Sequence, residues 1–293
     1  MVSLKEIRKR ISSVKSTRQI TSAMKMVAAA RLRRAQDKIV RLRPYASGLH
    51  ELLVRVSLKV EEKENDMHYS RSSADEKVLL IVVTSNKGLC GSFNMAVIKE
   101  TMRVVREKYN EQFRNKSLWL MTIGKKGSDY FRKTDLQIYE DHSNIYDDLT
   151  FENSSALASQ VMKSFIAGEF DRVEFIYNRF KSAAMQVLRY EVFLPVEKSG
   201  QEEPELSEYI FEPSAEEILR ELIPKSLKIQ FYSTILDSYV AEHGARMTAM
   251  HKATDNATEL IRDLNLEYNK ARQASITNQI LEVVNGAEAL SGK

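Results

Sequence analysis

The stretch Lys225-SLKIQFYSTILDSYVAEHGARMTAMHKATDNATELIRDLNLEYNKARQASITNQILEVV-Asn285 contains no proline and one glycine, Gly244. Little in it stops a helix. At about 1.5 Å per residue, a continuous helix here would reach roughly 90 Å, whereas an average globular helix has about 11–12 residues. A helix of that length cannot bury its apolar face on a small domain of its own. It needs a partner helix, and the remaining surface must face solvent or other chains. A shaft is therefore the first expectation.

The partner is found at the other end of the chain. Leu236, Tyr239, His243, Arg246, Met250, Ala253, Ala257, Leu260 and Leu264 step by 3 and 4, the spacing of a coiled-coil seam. Residues 3–43 also lack glycine and proline, and Leu4, Ile7, Ile11 and Val14, then Leu32, Ala35, Ile39 and Leu42, share one register. Between these two groups the register falls on Arg18, Thr21 and Lys25, while the apolar residues are Ile20, Met24, Val27 and Ala28. A stripe drifting around the helix is expected there, with a kink at Pro44. The two ends are predicted to pair as a long antiparallel coiled coil, leaving Leu266–Leu290 as an overhang.

The middle of the chain changes period. Val78-LLIVV-Thr84 is an unbroken apolar run of the kind that forms a parallel strand buried on both faces. Further strands are expected at 118–123, 136–139, 173–177 and 187–194, with helices around 95–109, 124–133 and 154–167. Alternating strands and helices imply a small Rossmann-like α/β domain with a mostly parallel sheet. The expected organisation is an N-terminal coiled-coil helix (1–60), an α/β domain (75–205), and an acidic connector with the long C-terminal helix (206–293). Ser214 and Glu217 have capping-box spacing, and Pro224 is expected in the first turn of the long helix or at a break just before it.

The net charge of +4 conceals an asymmetry: residues 1–45 carry +11 and the rest of the chain −7. A basic helix of this kind suits an acidic partner, although a solvated face is the commoner meaning of a charge run. Nucleic acid is disfavoured, because the apolar residues run through the basic stretch and the inserted α/β domain fits no common DNA-binding design. No apolar run is long enough to span a membrane, no secretory or transit leader is evident, and the single cysteine, Cys90, fits a reducing compartment.

No catalytic constellation is visible. The chain has no G-x-x-x-x-G-K-[ST] loop and no G-x-G-x-x-G after a strand. The five histidines offer no metal-ligand spacing, so no metal or cofactor is expected. The loop Thr84-SNKGLCGSFN lies where doubly wound folds bind ligands. It reads either as an anion site built on Gly88 and Gly91 or as a tight turn whose glycines serve backbone geometry, and the second reading is favoured.

Several segments resemble one family in order along the whole chain. Ile7-RKRISSVKSTRQITSAMKMVAAARLRRAQ-Asp37 resembles the opening helix of the gamma subunit of F-type ATP synthase. Thr84-SNKGLCGSFN, Tyr177-NRFKSAAMQ-Val187, Glu242-HGARMTAMHKATDNA-Thr258 and Tyr268-NKARQASIT-Asn278 resemble further blocks of it. The resemblance implies a non-catalytic central rotor shaft. The terminal helices would stand inside a ring of three alpha and three beta subunits, and the α/β domain would be a foot on the epsilon subunit and the membrane c ring. Ion flow would turn the shaft, which drives the beta sites through their catalytic states. By motif, Met24 and Arg246 match segments facing the beta subunits, and Arg272, Gln273 and Thr277 match upper contacts with the alpha–beta ring. Tyr209 and Glu212 match a segment near epsilon and the c ring. Asn86-Lys87 and Gly91-Ser92 depart from the Asp-Arg and Gly-Gly common in the family, which weakens any anion site. The absence of a cysteine pair and of a transit leader implies a bacterial member, peripheral on the cytoplasmic face of the inner membrane.

Overall fold

A computed structural model describes residues 3–57, 69, 76–196, 212 and 214–291. The chain divides into two compact units, one formed by residues 1–28 and 247–293, the other by residues 29–246. Helix α1 (Leu4–Ser57) and helix α6 (Ala215–Ser291) each contribute to both.

In the first unit, α1 and α6 are antiparallel. Ile7 and Ile11 pack on Leu264, with Val14, Tyr268 and Ala271 at the margin. Arg8 Nη2 donates to the Tyr268 hydroxyl at 2.6 Å, and the hydroxyls of Thr21 and Thr254 lie 2.9 Å apart. Pairing therefore extends to Ala271, and the overhang begins at Arg272 instead of at Leu266.

The expected drift of the α1 stripe does not occur. Thr21 and Ala28 are buried, Arg18 and Lys25 half-buried, and Leu32, Ala35 and Ile39 buried, so the original register runs straight through its polar positions. Ile20, Met26 and Val27 are instead left exposed. Small and polar residues suffice at the seam because a long side chain can bury its stem while its charged head reaches water. On α6, Ile261 takes the buried place expected of Leu260, which is exposed.

The second unit holds β1 (Val78–Val83), α2 (Phe93–Glu107), α3 (Asn110–Arg114), β2 (Leu118–Ile123), α4 (Lys125–Phe131), β3 (Gln137–Asp141), α5 (Phe151–Ile166), β4 (Arg172–Phe180) and β5 (Gln186–Leu194). The sheet order is β3-β2-β1-β4-β5. β1 to β4 pair in parallel, and β5 is antiparallel to β4. Every residue of β1 is buried. Val78, Leu80 and Val82 pack with Val97, Ile98, Val105 and Phe131, which accounts for the unbroken apolar run. The lower part of α6 meets β4 and β5 through Phe231, Phe175 and Phe193, whose rings contact edge-to-face at 5.2–5.6 Å.

Helix α6 starts nine residues before Pro224 rather than at it. The Ser214 hydroxyl accepts the Glu217 amide at 3.2 Å, as the capping-box spacing requires, and the helix continues through Pro224. Likewise α1 continues through Pro44.

Candidate functional site

Chain order reverses between β1 and β4, so the C-terminal ends of these strands form the crevice where an open α/β sheet would hold a ligand. Here the crevice is filled by the chain itself. Cys90 and Phe93 of the β1–α2 loop pack on Ala241 of α6, with Phe180 and Ala245 beside them. Gly244 lies so close to the β4–β5 hairpin that an added Cβ would meet Ala183 Cα and O and Phe180 Cε2 at 3.3 Å.

The loop is braced from within. The Ser85 amide donates to Asn94 Oδ1 at 2.9 Å, Asn94 Nδ2 donates to Ser85 Oγ at 2.8 Å, and Asn86 Nδ2 donates to the Ser143 carbonyl at 2.8 Å. Leu89 and Gly91 are left-handed, at φ 63° and 61°. Gly91 thus serves backbone geometry. Burial raises the Cys90 thiol pKa, only partly offset by the Ser85 hydroxyl and the Arg246 charge, which disfavours the reactive thiolate.

Arg246 joins this loop to α6. Its Nη2 donates to the Lys87 carbonyl at 2.8 Å and to the Gly88 carbonyl at 3.3 Å, and Nε also reaches Gly88 O at 3.3 Å. Nη1 pairs with Glu242 Oε1 at 2.6 Å and lies 3.3 Å from His243 Nδ1. Arg246, Glu242 and His243 are all buried. Burial raises the Glu242 pKa against the lowering effect of Arg246. Burial, with the charges of Arg246 and Arg31, pushes His243 down to about 3.

A second feature is the bare end of α6. Past Ala271, Arg272, Gln273 and Thr277 are exposed, and so are Ile276, Ile280, Leu281, Val283 and Val284. Contiguous exposed apolar side chains of this kind mark interaction surfaces. Among the described residues there is no group of three or more His, Cys, Asp or Glu able to hold a metal ion.

Residues 3–290 match the family model described as ATP synthase. The chain is 53% identical over 293 residues to the ATP synthase gamma chain of Flavobacterium johnsoniae and 49% identical over 292 residues to that of Christiangramia forsetii, with all of each chain covered in both comparisons. This chain belongs to the ATP synthase gamma-chain family. Among solved structures, it is similar to a chain of the Tetrahymena thermophila mitochondrial ATP synthase central stalk and c-ring, at 26% identity and a TM-score of 0.57, covering 80% of this chain and 99% of the other.

The gamma-chain contacts expected by motif fall in different settings. Met24 is half-buried on α1, and Arg272, Gln273 and Thr277 are exposed on the α6 end. Glu212 is exposed just ahead of the α6 cap, and Tyr209 lies outside the described residues. Arg246 is engaged within its own chain. Ile20 and Val27, expected in the drifting seam, are exposed, and so is Met26, which no sequence pattern singled out. Sequence reasoning also missed the Arg246 contacts with the loop. The i,i+4 spacing of Glu242 and Arg246 was a visible signal for one of these contacts; the loop carbonyls carry no sequence signature.

Proposed function

We propose that this chain is the central rotor shaft of an F-type ATP synthase, with no catalytic site of its own. It couples ion flow through a membrane c ring to ATP synthesis or hydrolysis at the beta subunits. The observation that carries this reading is the end of α6, which is unpaired among the described residues. Full-length identity of 49–53% to gamma chains coincides with a helix that outruns its partner and leaves Ile276, Ile280 and Val283 bare. Such a surface calls for surrounding subunits.

In this reading one copy stands among three alpha and three beta subunits. Met24, Arg246, Arg272, Gln273 and Thr277 face that ring, and Tyr209 and Glu212 face epsilon and the c ring. Among the described residues no helix is long and apolar enough to cross a membrane. The chain would act as a peripheral part of the complex, on the cytoplasmic face of the bacterial inner membrane. Coupling would arise as differential contact free energy, because a shaft whose surface is uneven around its axis meets the three beta subunits differently. The exposed apolar Ile20, Met26 and Val27 on the basic helix α1 supply that unevenness.

The test is to tag the chain in its host, isolate what accompanies it and weigh the intact complex. One copy with three alpha and three beta chains is expected. A lone chain or a homodimer would overturn the reading.

A further inference from the structure

Asp237 lies on α6 in a stretch whose apolar residues, Phe231, Ile235, Leu236 and Val240, are all buried. Its own side chain is 13% exposed. Oδ1 is buried with no hydrogen-bond partner among the described residues. Oδ2 comes to 3.8 Å from Arg179 Nε, too far for a hydrogen bond. Glu174, buried on β4, shows what a carboxylate needs in this unit: Lys108 and Arg172 hold one oxygen at 2.8 and 2.6 Å, and the Tyr190 hydroxyl donates to the other. Asp237 has no such cradle. A carboxylate buried without partners is costly, whereas a neutral carboxyl costs far less. We propose that Asp237 is a proton-operated latch: carrying its proton it seals α6 onto β4 and β5, and without the proton that junction loosens.

Every element around Asp237 brings a polar or charged group. β4 presents Arg179 and Tyr177, and the Tyr177 hydroxyl donates to Glu191 Oε2 of β5 at 3.0 Å. Arg189, opposite Tyr177 in the β4–β5 ladder, is exposed. α1 contributes the charge of Arg43, which is also exposed. Burial raises the Asp237 pKa and outweighs Arg179 and Arg43, which favour the ionised form, while Glu191 adds to the rise. Burial, then Glu191, raises the Tyr177 pKa as well, so this phenol stays neutral and supplies no counter-charge.

The folded chain therefore keeps a proton on Asp237 that the unfolded chain releases at the ordinary value of 3.8. As pH rises from there through the folded pKa the junction loses stability, and above the folded pKa the loss is complete. This is the reverse of Glu174, whose pKa is lowered. The loss is local. Opening of the contact between α6 and the sheet brings the carboxylate into water, so ionisation favours the open form. The contact at stake is the one made by Phe231 with Phe175 and Phe193.

The latch stands on the geometry of this chain alone. Its effect on coupling rests on the shaft reading, in which this junction passes torque between the α/β unit and α6. The experiment is amide hydrogen exchange in the intact ATP synthase between pH 5 and 8, followed by mass spectrometry over β4, β5 and residues 228–241, with each variant compared with wild type at the same pH. Asp237→Asn keeps the shape and removes the charge. Its opening-limited amides should exchange about tenfold more slowly than wild type at pH 8, and the two proteins should converge as pH falls. Glu191→Gln keeps an acceptor for Tyr177 and should also slow exchange at pH 8, whereas Arg179→Gln removes a counter-charge and should speed it. A ratio between wild type and Asp237→Asn that is independent of pH would assign Asp237 a packing role and overturn the latch, as would faster exchange in Asp237→Asn at pH 8. Should Asp237→Asn fail to assemble, the other two variants decide: shifts of opposite sign that shrink as pH falls support the latch, and shifts of one sign or independent of pH overturn it. ATP-driven ion pumping per ATP hydrolysed is followed alongside. It should fall from pH 6 to 8 more steeply in wild type than in Asp237→Asn, and equal profiles would overturn the effect on coupling. Failure of the shaft reading would show separately, as absence of the tagged chain from an alpha–beta complex.

Discussion

Arg246 Nη1 approaches His243 Nδ1 at 3.3 Å, and because a guanidinium can only donate, the imidazole proton is fixed on Nε2. His243 must be neutral for this contact to exist. Burial first, then the charges of Arg246 and Arg31, hold its pKa at about 3 against an ordinary 6.5. Between those values the unfolded chain binds a proton that the folded chain refuses, so the contribution of His243 to stability is complete above pH 6.5 and is lost as pH falls. The loss should be about 2 kcal/mol by pH 5. Glu242, whose pKa is raised, works in the opposite sense below its folded pKa. The measurement is therefore the difference between wild type and His243→Gln. Urea unfolding followed by Trp119, the sole tryptophan, should show wild type losing stability relative to the variant from pH 7 to 5. A pH-independent difference would contradict this.

Glu174 is wholly buried on β4 yet ionised. Lys108 Nζ lies 2.8 Å and Arg172 Nε 2.6 Å from its Oε1, and the Tyr190 hydroxyl donates to Oε2. Burial alone would raise its pKa, but the hydrogen bonds from Lys108, Tyr190 and Arg172 lower it below the usual carboxylate value. Its contribution is present above the unfolded pKa and lost as pH falls through the folded one. Glu174→Ala leaves two cations without their shared partner and should cost about 3–5 kcal/mol at pH 7, with a smaller deficit at pH 3. Unfolding curves at the two pH values check both statements.

Much of this fold could be read from side-chain periodicity. The β1 run Val78–Val83 identified itself because burial on both faces removes any need for polar alternation, and the Ser214–Glu217 cap was legible from spacing alone. The α1 seam was misread where the buried positions are polar. Thr21 and Lys25 sit in the interface while Ile20 and Val27 face outward, because surface apolar residues on this helix answer to something other than its own core. The Arg246 contacts with the β1–α2 loop were illegible for another reason: the acceptors are main-chain carbonyls 158 and 159 residues away, and main-chain groups carry no residue code.

Gly124 separates steric from conformational cost. A Cβ there would fall 2.1 Å from the Thr84 carbonyl oxygen, at φ 107°. Gly91 has φ 61° but nothing within 4 Å of an added Cβ. Gly124→Ala should therefore cost more than about 4 kcal/mol or prevent folding of the α/β unit, whereas Gly91→Ala should cost only about 1–2 kcal/mol for the left-handed backbone. Equal midpoints for the two variants in denaturant would refute the steric assignment.

The bare end of α6 should behave oppositely to its paired part. Ile276 and Ile280 are 48% and 58% exposed, while Leu264, at 7%, packs on Ile7 and Ile11. Aspartate at 276 and 280 removes no intramolecular packing, so the stability of the chain should change by no more than about 0.5 kcal/mol. Leu264→Asp buries an unpaired carboxylate in the helix pair and should destabilise it by about 3 kcal/mol or more. For assembly with alpha and beta subunits the order reverses per unit of stability lost. The double variant should bind at least about tenfold more weakly if these isoleucines meet the surrounding ring, since truncating a buried apolar anchor typically costs more than 1 kcal/mol. Wild-type assembly affinity in the double variant would mean that the apolar end of α6 does not carry the contact, and that the polar Arg272, Gln273 and Thr277 are where the ring should next be sought.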